Sequence, residues 1–512
     1  MLGKLSFVLP RLFKYAFLAI VFAILLMLTQ SAFAKKEYQI SIFLILAMGL
    51  IAVTYLSSIS IPLKFFAPGV LFLVAFVVIP IVYTVAMSTF KYQTGNYISK
   101  EQAIDRIKLL GTAPDENGTT FDVVLGKYNG ELAILASDSI NKRYFVSTSN
   151  NKLELNPNDI GIDENGVAQT SNDFNPISVE EKAKIDREIS VTRFKFENEY
   201  FIMLEGSSTG SVVRQSYEYV QNKDQFNNLI TGDIYKDDGK GNFANTANPE
   251  DILQPGWRAP IWLSHYIDIV TNEQVRGPLF SVFLWTVVFA GLTVLTQFSL
   301  GLLVAIAMNK KIRGRRIYRS IFILPYAMPS IMSILIWGGM FNTEFGAINT
   351  LLGSEIAWFQ NPNFARFAVI LVNLWLGFPY FYLINSGAMQ AIPSELSEAA
   401  SIDGASPRQI FSKITLPLLL KIVSPLLIAS FAFNFNNFNL IYLLTGGGPR
   451  NELDGEMAGA TDILISYTYR IAFGTNVQDL GFASAISVVI FFIVAAISLY
   501  GVRKSKVLDT FS

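Results

Sequence analysis

The sequence has no cysteine, one histidine (His265) and only 16% charged residues, where an ordinary globular chain carries about 25%. Without cysteine there is no disulfide, no thiol nucleophile, no iron–sulfur cluster and no Cys-ligated zinc. One histidine leaves a His-based metal site or a Ser-His-Asp triad nothing further to build on, which argues against metallohydrolase chemistry. The phosphate-loop pattern G-x-x-x-x-G-K-[ST] is also missing. Gly206-Ser207-Ser208-Thr209-Gly210 lacks the lysine, so the chain does not bind ATP in that way. Asp and Glu are absent from the middle of every long apolar run. Proton- and cation-coupled carriers place ionisable groups there, so secondary active transport is disfavoured, with Na⁺ sites made of carbonyls left open. No arginine-rich run is present to sense voltage.

What is present is apolar surface. Of 512 residues, 51% are hydrophobic and 13% aromatic, and the mean hydropathy is +0.39. That excludes a disordered chain and argues against a wholly soluble one. The formal net charge of zero hides an asymmetry. Lys91–Gly277 holds 28 acidic and 19 basic residues, and the remainder carries the opposite excess. The pattern is that of a membrane protein with one large acidic loop in water. Eight runs are long enough to cross about 30 Å of hydrocarbon: 13–34, 39–58, 67–89, 279–308, 320–341, 367–389, 417–445 and 481–502. Lys310, Lys311, Arg313, Arg315, Arg316 and Arg319 mark the connection between the fourth and fifth as cytoplasmic. Lys4, Arg11 and Lys14, then Arg408 and Lys413, then Arg503, Lys504 and Lys506 fall on that same face. Both termini are therefore expected in the cytoplasm. Lys35 and Lys36 go against the rule.

The first run has two readings. Its charged start, apolar stretch and Ala32-Phe33-Ala34 resemble a cleavable signal peptide. The alternative, a retained helix beginning at Met1 or Leu2, is the expectation carried forward. The loop 90–278 is long enough for a domain. Alternation over Phe121–Leu125, Glu131–Ala136 and Tyr144–Ser147, with turn clusters at Asp115–Gly118, Asn156–Asp159 and Asp237–Gly241, predicts strands. Ser178 and Glu181 form a capping-box pattern, which predicts a short helix over 178–188. A β-rich α+β domain follows.

Two segments carry specific chemistry. The first reads Glu398-Ala399-Ala400-Ser401-Ile402-Asp403-Gly404, then nine residues, then Ile414-Thr415-Leu416-Pro417. A short helix over 395–403 would start after Pro393 and Ser394 and stop at Gly404. Ala399, Ala400 and Ala405 permit close approach, and Phe411 supplies an apolar knob. Such a projecting helix-turn-helix can dock in a partner's cleft; the plainer reading is a connection lying on the membrane surface. The second segment is Ser430-Phe431-Ala432-Phe433-Asn434-Phe435-Asn436-Asn437-Phe438-Asn439. Amides at membrane depth must find partners. They can bond neighbouring helices, or they can bind a polyol, because amides match hydroxyls and aromatic faces match sugar C–H faces.

The first segment fits E-A-A-x3-G-x9-I-x-L-P, the signature of ATP-binding-cassette importer permeases. With Ile428–Asn439, Asn373–Tyr380, Ile323–Ile336 and Thr461–Phe473, the region 279–500 resembles the larger permease subunits of bacterial maltose importers. The resemblance implies an all-α polytopic membrane protein with eight transmembrane helices and a type I importer core. A β-rich, immunoglobulin-like periplasmic domain would be inserted between helices 3 and 4. The expected organisation is an N-terminal tail with helices 1 and 2 over 1–66, helix 3 over 67–89, the periplasmic domain over 90–278, the core over 279–502 with a coupling loop at 390–417, and a tail over 503–512. The implied partners are a second homologous permease, two ATP-binding subunits, a periplasmic maltose-binding protein, maltose or maltodextrin, and membrane lipid. No bond chemistry, no cofactor and no nucleic acid is implied. Rival readings are a permease for another oligosaccharide or polyol, and a membrane-anchored sensor, which would need a cytoplasmic signalling domain.

Glu398, Ala399, Ala400, Gly404 and Phe411 are the residues expected to couple to the ATPase. The sugar site is expected at mid-membrane between spans six and seven. Ser430, Asn434 and Asn437, spaced i, i+4, i+7, would share one helix face, with Asn436 and Asn439 turned elsewhere. Phe433 is a candidate stacking platform. In span six, Gly377 would expose backbone, Tyr380 would offer ring and phenol, and Pro379 would free a carbonyl. The resemblance implies the same positions; it also brings tyrosine after the glycine, where this chain has Phe378.

Overall fold

A computed structural model describes residues 2–504, except 36, 57–60, 116–117, 139, 179, 183–184, 186–188, 190–191, 207, 311, 451–457 and 475–476. Most of the helix expected over 178–188 lies outside the described residues. Its start is present, where the Glu181 amide donates to Ser178 Oγ at 3.2 Å. The chain divides into two compact units, Met1–Ala86 and Met87–Ser512.

The first unit is helical: α1 (Leu2–Ala34), α2 (Tyr38–Leu56), α3 (Ile61–Leu73) and, after a π-helical turn at Val74–Val78, α4 (Ile79–Met87). Its large apolar side chains face outwards; Phe65 is 83% exposed and Phe13 75%. A helix in water buries such groups, so these surfaces are matched to lipid.

The second unit opens with the β-rich domain. The larger sheet runs in the order Phe194–Lys195, Tyr200–Glu205, Thr209–Gln215, Thr120–Tyr128, Glu131–Asp138, Arg143–Thr148, Lys152–Leu155, antiparallel at every step. Phe121, Val123 and Leu125 alternate inwards and pack on Phe145, Phe194 and Ile202. In the decoy for a phosphate loop, Thr209 and Gly210 are strand residues that pair with Glu205 and Leu204. A second, five-stranded sheet is a meander from Tyr217–Val220 to Ile252–Leu253. Against it lies α5 (Lys100–Leu110), which starts on a Ser99/Gln102 capping box and buries Ala103, Ile104 and Ile107 on Phe226, Phe243 and Trp257.

The two ends of this domain are fastened together. Phe90–Lys91 pairs antiparallel with Ala259–Pro260, and the amides of Ile261 and Trp262 both donate to the Thr89 carbonyl at 2.9 Å. The Gly481 amide donates to Tyr92 O at 3.1 Å and Thr94 N–H to Gln478 O at 3.0 Å, which ties the domain to the start of the last helix. His265, the one histidine, is buried here with Nε2 3.2 Å from Phe90 O.

The core follows: α6 (Ser264–Thr271), α7 (Glu273–Asn309), α8 (Arg315–Ala327), α9 (Ser330–Met340), α10 (Ala347–Leu352), α11 (Pro362–Ala391), α12 (Ser394–Ile402), α13 (Pro407–Ile410), α14 (Leu416–Phe435), α15 (Phe438–Leu444), α16 (Leu464–Phe473) and α17 (Leu480–Lys504). The long helices α7 and α11 touch at Gly301, where an added Cβ would fall 2.7 Å from Phe381 Cβ and the Tyr382 amide nitrogen. Only glycine lets two backbones approach this closely. Among the described residues, six helices are long and apolar enough to cross a membrane. The fifth expected span is instead a pair, α8 and α9, bent by 93°. The bend sits at Met328, held extended (φ −82°, ψ 142°) by the following Pro329. The second expected span appears as a shorter apolar helix, Ile40–Leu56. The seventh is also interrupted: α14 ends at Phe435 and α15 begins at Phe438.

Candidate functional site

The two interruptions meet at one cavity. It encloses about 590 Å³ and is lined by the α8–α9 bend (Pro325, Tyr326, Met328, Ser330, Ile334), by α11 (Asn373, Leu376, Gly377, Tyr380), by α14 and its break (Ala429, Ser430, Phe433, Asn434, Asn437, Asn439, Leu440) and by Gln297 of α7. This size lies within the range of small-molecule sites. No lining residue is an acid or base that carries charge at neutral pH, and the polar groups are amides, hydroxyls and phenols. An uncharged polyhydroxyl ligand suits such a wall; an ionic one would find no countercharge. No group of His, Cys, Asp and Glu suited to a metal occurs among the described residues.

All six residues expected to bind sugar line this cavity, but the local reasons differ from those expected. Ser430, Asn434 and Asn437 do not share the face of one helix. Asn436 (φ −113°, ψ 22°) and Asn437 (φ −76°, ψ 69°) leave helical geometry, so the chain unwinds and delivers Asn437 and Asn439 to the same space. Asn439, expected to point away, therefore belongs to the wall. Asn436 does point elsewhere, and its Nδ2 bonds Ala432 O of its own helix at 3.2 Å. The two cavity asparagines also differ from each other. Asn434 is buried, accepts from Asn373 Nδ2 at 2.8 Å and donates to Ser430 O at 2.9 Å. Asn437 is half-buried, and its side-chain amide makes no hydrogen bond among the described residues.

Gly377 is also revised. It exposes no free backbone, because the Gln297 side chain stands over it; an added Cβ would fall 2.1 Å from Nε2. That nitrogen donates to Asn373 O at 2.7 Å. The glycine thus makes room for a buried network of Gln297, Asn373, Thr293 and Asn434. Tyr380 stacks with Tyr326, ring centroids 6.4 Å apart at 28°. Phe433 is 70% exposed at the open side of the cavity. Phe378 is buried and is not part of the wall. The helix α11 runs through Pro379 without interruption. Gln297, Asn373 and Tyr326 were not singled out from the sequence. Tyr326 could have been, since Pro325 and Pro329 bracket it with break signals.

The second candidate surface is α12. It projects with Glu398 and Ala399 exposed, Ala400 half-buried and Ile402 87% exposed. It ends as a left-handed cap: Gly404 has φ +81°, and the Ala405 amide donates to Ala400 O at 2.9 Å. Phe411 opens a π-helical turn, Phe411–Thr415, and packs inwards beside Leu302, Phe381 and Leu419, so it is not a free knob on this surface.

A core of apolar, membrane-length helices around a neutral cavity, with a projecting helix between two of them, is the arrangement of a transport permease. The family described as "Binding-protein-dependent transport system inner membrane component" matches residues 297–507, and "N-terminal of TM subunit in PBP-dependent ABC transporters" matches residues 71–149. The maltose/maltodextrin transport system permease protein MalF of Vibrio vulnificus strain YJ016 is 36% identical over 464 residues, covering 86% of this chain and 85% of that protein. MalF of Salmonella typhimurium is 48% identical over 263 residues, 50% of this chain and 51% of its own. Among solved structures, a chain of a bacterial alginate ABC transporter in complex with an alginate pentasaccharide-bound periplasmic protein is similar at 20% identity and a TM-score of 0.42, covering 48% of this chain and 83% of that one. The chain belongs to the family of the MalF permease proteins, multi-pass proteins of the bacterial inner membrane.

Proposed function

We propose that the chain is a translocating subunit of an ATP-driven importer for maltose and maltodextrins, and that the 590 Å³ cavity is where the sugar rests at mid-membrane. The observation that carries this reading is the chemistry of the wall: amides, hydroxyls and aromatic rings, with no side chain charged at neutral pH. Asn437, Asn439, Ser330 and the phenols of Tyr326 and Tyr380 bond hydroxyls, and Phe433 stacks on a pyranose C–H face. Gln297, Asn373 and Asn434 spend their amides on one another and hold the wall in shape. The chain makes and breaks no covalent bond.

A second homologous permease completes the pathway, and a periplasmic maltose-binding protein delivers sugar to the outer β-rich domain. Two ATPase subunits bind from the cytoplasm, where both termini also lie. The docking element is α12, through Glu398, Ala399, Ala400 and Gly404, with the exposed Ile402 entering the ATPase cleft. ATP binding and hydrolysis in the partners rock the permease between outward- and inward-open states around the cavity. The test is purification of the intact assembly from its native membrane and identification of the ATPase that accompanies it. ATP hydrolysis is then assayed with binding protein and a panel of sugars. Maltose and short maltodextrins should stimulate it. Stimulation by a different polyol, with none by maltose, would overturn the assignment.

A further inference from the structure

A second recess lies where the ends of α7 and α11 meet the start of α8. Its polar lining is Asn309, Arg315, Arg319, Tyr382, Ser386 and Gln390, and none of its lining residues is acidic. Three features set it apart. Arg315 and Arg319 lie one turn apart on α8, and neither forms an ion pair among the described residues. Tyr382 is fully buried, yet its hydroxyl has no hydrogen-bond partner among the described residues. The Arg315 Nε is likewise buried and without a partner. Tyr382 is fixed in place by Ala305, Met308 and Met389, and by the edge of Phe322 with centroids 6.4 Å apart.

A structural explanation would have the two guanidiniums cap the last carbonyls of α7 and α11. Neither makes such a bond. A trapped water is the next candidate. The interior space of about 10 Å³ holds one oxygen-sized group, and a water there would satisfy the phenol. It would not answer two cations side by side, which call for an anion. The lining is rich in donors and free of carboxylates: two guanidiniums that only donate, with a phenol, a hydroxyl and two amides that can donate.

We propose that this recess binds one phosphate group, with an oxygen inserted onto the Tyr382 hydroxyl and the remainder held at the mouth by Arg315 and Arg319. The carrier is an anionic phospholipid headgroup or free inorganic phosphate. Basic pockets between helices near the membrane surface take such groups in general. Phosphate oxygens accept several charge-assisted bonds at once. A ligand there would join the α8–α9 pair, which forms one wall of the cavity, to α11, which forms another.

The test uses the intact importer in detergent, followed by native mass spectrometry and thermal unfolding. Phosphatidylglycerol, phosphatidylcholine and sodium phosphate are added separately. Wild type should retain one more phosphatidylglycerol than Arg315→Gln/Arg319→Gln, and only wild type should gain a higher melting midpoint from it. Tyr382→Phe, which removes one oxygen, should weaken retention by about fivefold, the loss of roughly 1 kcal/mol from one hydrogen bond. If sodium phosphate alone reproduces the stabilisation and displaces the lipid, free phosphate is the carrier. If only the lipid acts, the headgroup is. Equal lipid retention by wild type and the double variant together with no selective stabilisation of wild type by sodium phosphate, or equal stabilisation by phosphatidylcholine, would overturn the proposal. Should the double variant fail to accumulate, Arg319→Gln and Tyr382→Phe carry the same comparison.

Discussion

Asn434 and Asn437 stand three residues apart on the same cavity wall, yet truncating them should have opposite signatures. Asn434→Ala removes the acceptor for Asn373 Nδ2, which is left with only Thr293 Oγ1 at 3.4 Å. A buried amide stripped of its partner costs about 1–3 kcal/mol in stability. Asn437→Ala removes a side chain that makes no hydrogen bond among the described residues, so its stability cost should stay within about 0.5 kcal/mol. Its effect should fall on the sugar instead. One lost hydrogen bond to a hydroxyl is about 1–3 kcal/mol, or roughly a 5- to 150-fold rise in half-saturating maltose. The assay pairs thermal unfolding of each purified assembly with maltose-stimulated ATP hydrolysis across a maltose titration. A variant Asn437→Ala that lowers the melting midpoint as far as Asn434→Ala does, with an unshifted maltose titration, would refute the division between binding and support.

Three further outcomes are expected. Gly377→Ala should drive Gln297 out of its bond to Asn373 and destabilise the core by about 1–3 kcal/mol; adding Gln297→Ala should recover part of that loss, and the double variant's unfolding midpoint checks it. Gly404→Pro should abolish transport with membrane levels preserved, because φ +81° is closed to proline; normal uptake would remove α12 as the docking element. Burial raises the Asp479 carboxyl above its usual range, only partly offset by the Phe482 amide, His265 and Lys91. Its neutral form is the one folding favours, so stability should be highest below the ordinary carboxylate range and fall as pH climbs through the raised pKa. Asp479→Asn should flatten that slope in unfolding midpoints taken between about pH 4 and pH 8.

The β-rich domain and most spans were legible because each rests on a local pattern. Phe121, Val123 and Leu125 alternate with period two, and the spans are long apolar runs. The motif helix was legible through Pro393, Ser394 and Gly404, which are chemical stops. What could not be read was where a run breaks. The reasoning for Ser430, Asn434 and Asn437 assumed a continuous helix through 437; the chain unwinds there because Asn436 and Asn437 can turn their side-chain amides to backbone and cavity in place of the helical ladder. Gly377 was read as an opening, since nothing in its own segment announces that Gln297, eighty residues earlier, fills the space. Gln297 and Asn373 carry no local signal at all. Their importance exists only once α7 and α11 cross.

The fastening of Phe90–Lys91 to Ala259–Pro260 has a consequence for how such a chain can change over time. The chain enters and leaves the β-rich domain through a two-stranded ribbon whose strands are about one strand spacing apart, roughly 5 Å. Whatever lies beyond that ribbon is a detour that begins and finishes at one address. Lengthening, shortening or replacing the detour leaves the threading of the spans and the position of the cavity as they were. A lineage of importers could therefore remodel its outer surface for new delivery proteins without reopening the design of its pore.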